Sequence, residues 1–309
     1  MDFFVVGTGR CGTRMLRDIL NLHSSIYIPH ETHWIPTMYN FFGLTVNRFE
    51  AYKDILERTY HVTGIRTIDR IMQDFTIEKA EFYQTLELEV AGKGGVSVVG
   101  FNQAFYQYCS RLKQKSICGD KTPEFGFYMT LLQQLWPSTR FIHIVRDGRD
   151  VALSMSKHAG FQRMVALRIN NWCPVGFNGY YRIFDHKDRK GALSALSFLS
   201  GLAMIKRPEV PLTEYIRLWE SRLTRILDES SRLRPGSYLE VKYEDLLKEP
   251  KRAISRIAAF LSLSVSPEWI SAAESIIIPN NYHKISDNVL YRALTDVSSE
   301  TLKRVGYAS

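Results

Sequence analysis

Five short apolar runs that alternate with helical patterns constrain the fold of this chain more than any other feature. The runs predict buried strands at residues 3–7, 25–29, 115–120, 140–147 and 237–245. Apolar residues spaced three and four apart predict helices at 13–22, 125–135, 151–156, 212–232 and 250–263. Strands that alternate with helices predict an α/β fold with a mostly parallel central sheet, flanked by helices and joined by right-handed crossovers.

Two long segments, residues 37–114 and 160–211, interrupt this pattern. The first is helical and charged, and the second is rich in aromatic and basic residues. Inserts of this kind usually form lids or pockets over the edge of a sheet. The chain has 309 residues, 45% of them apolar, and shows no internal repeat. We therefore expect a single domain over residues 1–309, with both inserts on the side of the sheet edge where an acceptor substrate would bind.

The loop after the first strand, GTGRCGTR at residues 7–14, predicts an anion site. Its glycines allow a tight turn with inward N–H groups, and a helix beginning near Thr13 adds its positive dipole end. The spacing Gly7-x-Gly9-x-x-Gly12 fits a dinucleotide fingerprint, for which Glu31 would bind the ribose hydroxyls. The spacing Gly7-x-x-x-x-Gly12 fits a P-loop, but its lysine and its Mg²⁺-binding Ser/Thr are missing. Arg10 and Arg14 indicate a group whose negative charge grows during reaction.

Polar groups follow every predicted strand. Ligands bind beyond the carboxyl ends of the strands in such sheets. The groups at these ends are the 7–14 loop, Pro29-His30-Glu31, Asp120-Lys121-Thr122-Pro123, Arg146-Asp147 and Tyr243-Glu244-Asp245. We therefore expect one edge of the sheet to gather the phosphate loop, a carboxylate, a lysine, an arginine and a tyrosine.

Net charge and cysteine spacing limit the kinds of binding partner and metal site that the chain can have. A net charge of +8 favours anionic partners, although the basic residues are scattered and never form a block. The four cysteines show no disulfide or metal spacing, and the histidines of His30-Glu31-Thr32-His33 do not form HExxH. The first apolar run is too short for a signal peptide or membrane anchor. We expect a cytoplasmic protein with no transmembrane segment, no metal and no nucleic-acid partner.

The segment RFIHIVRDGRDVALS, residues 140–154, resembles the 3′-phosphate site of sulfotransferases. These enzymes use 3′-phosphoadenosine 5′-phosphosulfate (PAPS) and release the 3′,5′-bisphosphate PAP. The resemblance implies that Arg146 and Ser154 hold the 3′-phosphate. The loop GTGRCGTRML then resembles the 5′-phosphosulfate loop of the family, which implies donor contacts from Gly9, Arg10, Cys11, Gly12, Thr13 and Arg14.

Three further segments resemble the family in the same order along the chain. Glu31-Thr32-His33-Trp34 is similar to the Glu-x-His-aromatic element of the carbohydrate branch. GDKTPEFGFY resembles a segment whose lysine, here Lys121, faces the reacting sulfate. VKYEDLLKEP resembles the Tyr-Glu-Asp element, in which Tyr243 would contact adenine, and LKRVGY at 302–307 resembles bacterial members.

The resemblance implies in-line transfer of a sulfuryl group from PAPS to a hydroxyl acceptor such as a sugar, a lipid or a small metabolite. We assign Glu31 as general base, and Lys121 and Arg10 as stabilisers of the sulfuryl group and the leaving oxygen. Arg14 would add a phosphate contact. His33 would orient the acceptor or Glu31, and His30 and His33 are rival bases.

Three departures from the family and three alternatives stay open at this point. Arg10 stands where many relatives carry lysine, Pro36 stands where heparan-type enzymes carry aspartate, and only residues 281–284 match the loop that covers the 3′-phosphate in cytosolic relatives. A nicotinamide oxidoreductase would leave Lys121, Arg146 and Ser154 unexplained. A P-loop kinase would lack its lysine. A non-catalytic scaffold that binds anionic glycans through residues 160–211 would not need Glu31.

Overall fold

The first strand, Phe3–Val6, is completely buried and lies at the centre of the sheet. The structure is a computed structural model, and it describes residues 1–60, 65–91, 95–169, 210–279 and 281–307. It divides into one unit of Met1–Arg146 with Leu223–Tyr282 and a second of Asp147–Arg222 with His283–Ser309. Each unit is described by itself below.

The first unit is built on a five-stranded sheet with the order β2-β3-β1-β4-β5. Its strands are β1 (Phe3–Val6), β2 (Ile26–Tyr27), β3 (Ile117–Lys121), β4 (Arg140–Val145) and β5 (Tyr238–Lys242). Each neighbouring pair in this order is parallel. Aromatic and β-branched residues fill β1, as expected for a strand covered on both faces.

Helices connect and flank these strands. In the first unit they are α1 (Thr13–Asn21), α2 (Ile35–Phe42), α3 (Phe49–Arg58), α4 (Thr67–Met72), α5 (Lys79–Ala91), α6 (Val98–Leu112), α7 (Met129–Leu135), α11 (Tyr243–Lys248), α12 (Pro250–Leu261) and α13 (Pro267–Ile276). A 3₁₀ turn covers Pro123–Phe127. The second unit contains α8 (Gly148–Ser156), α9 (Ala159–Ile169), α14 (Asn288–Val297) and α15 (Ser299–Arg304). Helix α10 covers Leu212–Ser230.

Aromatic side chains form much of the buried interior. Phe4 stacks on Phe141 of β4 with ring centroids 5.6 Å apart, and its edge meets Phe125 at 5.8 Å. In the first insert, Tyr52 stacks on Phe101 of α6 at 4.8 Å. The insert therefore carries its own aromatic core, which fixes α6 beside β3.

The structure confirms the α/β class, the parallel sheet and all five predicted strands. Most boundaries shift by a few residues, and two of the differences have a clear physical cause. Tyr243 begins a helix instead of extending β5, because the carboxylates of Glu244 and Asp245 favour a helix N-terminus. The helix expected from 125 begins at Met129, after a 3₁₀ turn that opens with Pro123. The helical first insert is also confirmed, whereas residues 170–209 of the second insert lie outside the described residues.

The strand order also bears on the dinucleotide alternative. In the dinucleotide-binding fold the second strand pairs with the first, so the acidic residue after it lies beside the glycine loop. Here β3 separates β2 from β1. Glu31 follows β2 and is therefore placed beside the end of β3, whereas the acidic residue of a dinucleotide-binding fold lies directly beside β1.

Candidate active site

The glycine loop leaves β1 in conformations that favour glycine. Gly9 and Gly12 have φ values of 82° and 103°, and Arg10 also has a positive φ of 56°. Helix α1 begins at Thr13, and within the described part of the chain no side chain caps its first turn. The N–H groups of that turn can therefore bind an anion at the helix N-terminus.

Close packing under this loop fixes its shape. A Cβ at Gly12 would overlap the ring of Tyr243, and one at Gly7 would overlap Sγ of Cys11. The Cys11 side chain is completely buried, and burial raises the pKa of its thiol. An anion can therefore approach the backbone of the loop but not this sulfur. Thr13 is also buried, with 5% of its surface exposed.

Strand register places charged residues on both sides of the loop. Val5, which lies two residues before Gly7, pairs with Lys121 at the end of β3. Val6 pairs with His143 of β4, three residues before Arg146. Since all three strands are parallel, Lys121 and Arg146 lie at the same edge as the loop, as the sequence predicts.

Glu31 lies within reach of Lys121 and His33. Nζ of Lys121 donates a hydrogen bond to Oε1 of Glu31, and Nε2 of His33 lies 3.5 Å from Oε2. Only 7% of the lysine side chain and 20% of the glutamate side chain are exposed. His33 is buried and has a φ of 61°, which few non-glycine residues adopt. Glu31, Lys121 and His33, three of the four residues predicted to perform chemistry, therefore form one cluster.

A buried polar network lies beside this cluster, and sequence reasoning missed two of its members, Tyr106 and Thr32. Oδ2 of Asp120 accepts hydrogen bonds from the hydroxyls of Tyr106, at 2.7 Å, and Thr32, at 2.9 Å. The backbone N–H of Thr32 donates to Oγ1 of Thr122 at 3.1 Å. Burial raises the pKa of the Asp120 carboxyl. Only the presence of Asp120 and Thr122 in the strand-end motif pointed to this network.

The two loop arginines, Arg10 and Arg14, differ in exposure and in the charges near them. Partial burial, followed by the positive charge of Arg146, lowers the pKa of the Arg10 guanidinium, so the two guanidiniums lie near enough to repel each other. The Arg14 side chain is 89% exposed and lies 3.8 Å from the Asp18 carboxylate. Arg10 therefore belongs to the cationic edge, whereas a phosphate contact from Arg14 stays a prediction.

Arg146 is buried against Tyr243. Its guanidinium carbon lies 4.3 Å from the centre of the Tyr243 ring, and Nη2 donates to the backbone oxygen of Asn281 at 2.9 Å. Nδ2 of Asn281 in turn donates to the hydroxyl of Tyr243 at 2.8 Å. The segment that the sequence matched only weakly thus begins with a residue that contacts both predicted donor-binding residues.

The second unit holds the remaining predicted residue, Ser154, half-buried in α8. In the same unit Asp150 accepts hydrogen bonds from the backbone N–H groups of His283 and Lys284, at 2.8 and 2.9 Å. Arg149 forms an ion pair with Asp147, with Nη2 and Oδ2 2.7 Å apart. A contact from Ser154 to a 3′-phosphate stays a prediction.

His30 has a different environment from Glu31. Its Nε2 lies 3.9 Å from the Asp74 carboxylate, which also accepts a hydrogen bond from Tyr27. Burial, and then the positive charge of Arg17, lowers the pKa of His30 to about 4. His30 therefore faces Asp74, whereas Glu31 faces Lys121 and His33, and the choice of general base stays a prediction.

Two kinds of feature are absent from the described part of the chain. No group of three or more His, Cys, Asp or Glu side chains among them is placed to hold a metal ion. None of the described helices has both the length and the apolar character needed to cross a membrane.

Comparison with known proteins identifies the family. A model of the sulfotransferase family matches residues 2–199 and 192–267. The sulfotransferase domain from the curacin biosynthetic pathway is 19% identical with a TM-score of 0.51, and the alignment covers 99% of this chain and 97% of that domain. The sulfotransferase domain of the Synechococcus PCC 7002 olefin synthase is 18% identical with a TM-score of 0.52, over 96% and 86%. No curated protein sequence matches significantly. The family match, over the strands and loop that build this edge, shows that the chain belongs to the sulfotransferase family.

Proposed function

We propose that this enzyme transfers a sulfuryl group from PAPS to an acceptor hydroxyl, with Glu31 as general base. The observation that carries the proposal is the Glu31 carboxylate beside Lys121, at the same sheet edge as a helix N-terminus that no described side chain caps. A carboxylate serves proton removal, whereas a site that only binds anions gains nothing from one. The residues at this edge also fit the donor, because the loop backbone, Arg10 and Arg146 offer positive charge to its two phosphate ends.

When bound, PAPS supplies a sulfuryl group whose bond to the 5′-phosphate oxygen breaks as a bond to the acceptor oxygen forms. Glu31 would accept the proton that the acceptor hydroxyl loses. Lys121 and Arg10 would stabilise the negative charge on the sulfuryl oxygens and on the leaving oxygen. Arg146 would hold the 3′-phosphate with Ser154, and Tyr243 would contact adenine. His33 would keep Glu31 or the acceptor oriented.

Donor binding can be tested without the acceptor. We expect isothermal titration to show binding of PAP and no comparable binding of NAD or of ATP with Mg²⁺. Arg146→Ala should weaken PAP binding about 10- to 100-fold, because a phosphate loses charge-assisted hydrogen bonds. Arg140→Ala, which removes a charge at the opposite end of β4, is the matched control and should bind normally. Preference for NAD, or equal affinity in the two variants, would contradict the donor assignment.

Catalysis is tested with PAPS radiolabelled in the sulfuryl group and three acceptor classes, namely sugars, fatty alcohols and phenols. Glu31→Gln should lower turnover about 100- to 10,000-fold, the usual contribution of a general base, while PAP affinity stays within a few-fold of wild type. Unchanged turnover in this variant would remove Glu31 from the mechanism. A scaffold that only binds anions would show PAP binding and no transfer to any class. The acceptor and the cytoplasmic location stay predictions.

A further inference from the structure

Glu31, the proposed base, and His33 lie on a segment that has no regular secondary structure. Residues 31–34 lie between β2 and α2 and belong to neither. A side chain on such a segment holds its position only if neighbouring groups fix the backbone. The contacts of Thr32, the residue between Glu31 and His33, are therefore the ones to consider.

Thr32 is completely buried and ties this segment to the end of β3 at two points. Its N–H donates to Oγ1 of Thr122, and its hydroxyl donates to Oδ2 of Asp120. Asp120 and Thr122 flank Lys121, and side chains alternate between the faces of an extended strand. The two residues on one face therefore fix the register of Thr32, and Lys121, between them, meets Glu31.

Tyr106 completes the network from a different element. It lies on α6, within the first insert, and its hydroxyl contacts both Oδ2 of Asp120 and Oγ1 of Thr32, at 2.7 and 3.1 Å. Tyr106, Thr32 and Asp120 are all buried. Buried hydrogen bonds of this kind are rigid, because losing one partner leaves a desolvated carboxylate unsatisfied.

We propose that Tyr106, Asp120 and Thr32 are positioning residues that set the distance between the proposed base Glu31 and the proposed sulfuryl-binding Lys121. None of the three is assigned a contact with donor or acceptor. Because Tyr106 belongs to the first insert, the network also links the position of the base to the element expected on the acceptor side. This inference depends on the proposed function of the Glu31 and Lys121 pair.

The test measures conversion of PAPS to PAP, with the best acceptor of the three classes or with water if none reacts. Tyr106→Phe and Thr32→Val should each lower kcat about 10- to 100-fold, because displacement of a reacting group by about 1 Å has effects of this size. KM for PAPS and the affinity for PAP should stay within about twofold of wild type, as the donor-binding groups are untouched. Thr32→Ser, which keeps the hydroxyl, should retain wild-type kcat.

Tyr52→Phe is the matched control for loss of one buried tyrosine hydrogen bond. Tyr52 is buried in the same insert, and its hydroxyl donates to the backbone oxygen of Val96 at 3.0 Å, away from Asp120. Its kcat should equal that of wild type. An equal loss in Tyr52→Phe and Tyr106→Phe, or wild-type kcat in Tyr106→Phe, would overturn the proposal.

A crystal structure of Tyr106→Phe separates failure of this inference from failure of the proposed function. If wild type neither binds PAP nor consumes PAPS, the proposed function fails. The positioning claim is then decided by the structure alone. A shifted Glu31–His33 segment in the variant supports it, and an unchanged Glu31 to Lys121 contact overturns it.

Discussion

At the scale of the residue, position 12 requires glycine for two reasons, its backbone conformation and its close contact with Tyr243. Its φ of 103° is strained for any other residue, and a Cβ would overlap the ring of Tyr243. The ring of Tyr243 also lies against the guanidinium of Arg146. The backbone of the phosphate loop and the predicted adenine and 3′-phosphate contacts are therefore mechanically connected through one aromatic ring.

Replacement of Gly12 by alanine tests this connection. Gly12→Ala should weaken PAP binding by at least about 10-fold, because the loop or Tyr243 must move to admit the methyl group. Gly236→Ala is the control, since Gly236 has a φ of 77° but a Cβ there would meet nothing within 4 Å. Both variants should lose about 1–2 kcal/mol of stability from backbone strain. Equal PAP affinity of the two variants in isothermal titration would show that the overlap with Tyr243 is unimportant.

At the scale of the element, β4 carries a buried histidine as well as the chain segment that leads to Arg146. His143 is completely buried, and its Nδ1 lies 2.6 Å from the hydroxyl of Tyr238 on β5. Burial lowers the pKa of His143 to about 3. The folded state, in which β4 presents Arg146, therefore favours the neutral imidazole.

The pH dependence of stability follows from this shift. The unfolded chain binds a proton at His143 near pH 6.5 and the folded chain only near pH 3, so the unfolded state binds more protons between these values. The free energy of unfolding should fall as the pH drops from 6.5 towards 3, by up to about 1.4 kcal/mol per pH unit for this group. In urea titrations between pH 4.5 and 7, the free energy of unfolding of His143→Gln should change less steeply with pH than that of wild type. The pH dependence that remains should come from His30. A slope identical to wild type would contradict the assignment.

At the scale of the molecule, the sheet order gathers positive charge at one edge of the first unit. Strands β3, β1 and β4 are neighbours, and their ends lead to Lys121, Arg10 and Arg146. The lowered pKa of Arg10, caused by burial and next by Arg146, records this crowding. Because an anion relieves repulsion of this kind, donor-site ligands should stabilise the folded state.

Thermal unfolding tests this expectation. PAP at 100 times its Kd should add about 2.7 kcal/mol and raise Tm by several degrees. At that fixed PAP concentration the gain should shrink with added salt, because screening raises Kd. At the same PAP concentration, Arg146→Ala with its roughly 10- to 100-fold weaker binding should gain only about 0.4–1.4 kcal/mol, and Arg140→Ala should keep the full gain. An equal rise in Tm with NAD at the same concentration would show that the edge does not select a bisphosphate.

The sequence predicted the fold and the charged edge because both depend on local patterns. Apolar runs mark buried strands, and parallel strands bring their carboxyl ends together, so Glu31, Lys121 and Arg146 could be assigned to one edge. Tyr106 could not be found in this way. It lies on an insert helix, and its partner Asp120 is 14 residues away, so only tertiary packing brings the two together. The helix start at Tyr243 was missed because an apolar run does not show where a strand gives way to a helix.

The hydrogen bond between Lys121 and Glu31 has a kinetic consequence on the proposed roles. Without the donor, the Lys121 ammonium forms a hydrogen bond with the Glu31 carboxylate and lowers its basicity. An acceptor that binds before the donor would therefore meet a weaker base. On these roles the anionic donor would compete for the same ammonium, and its binding would free the carboxylate. The pair would then favour ordered addition, with the donor first and the acceptor second.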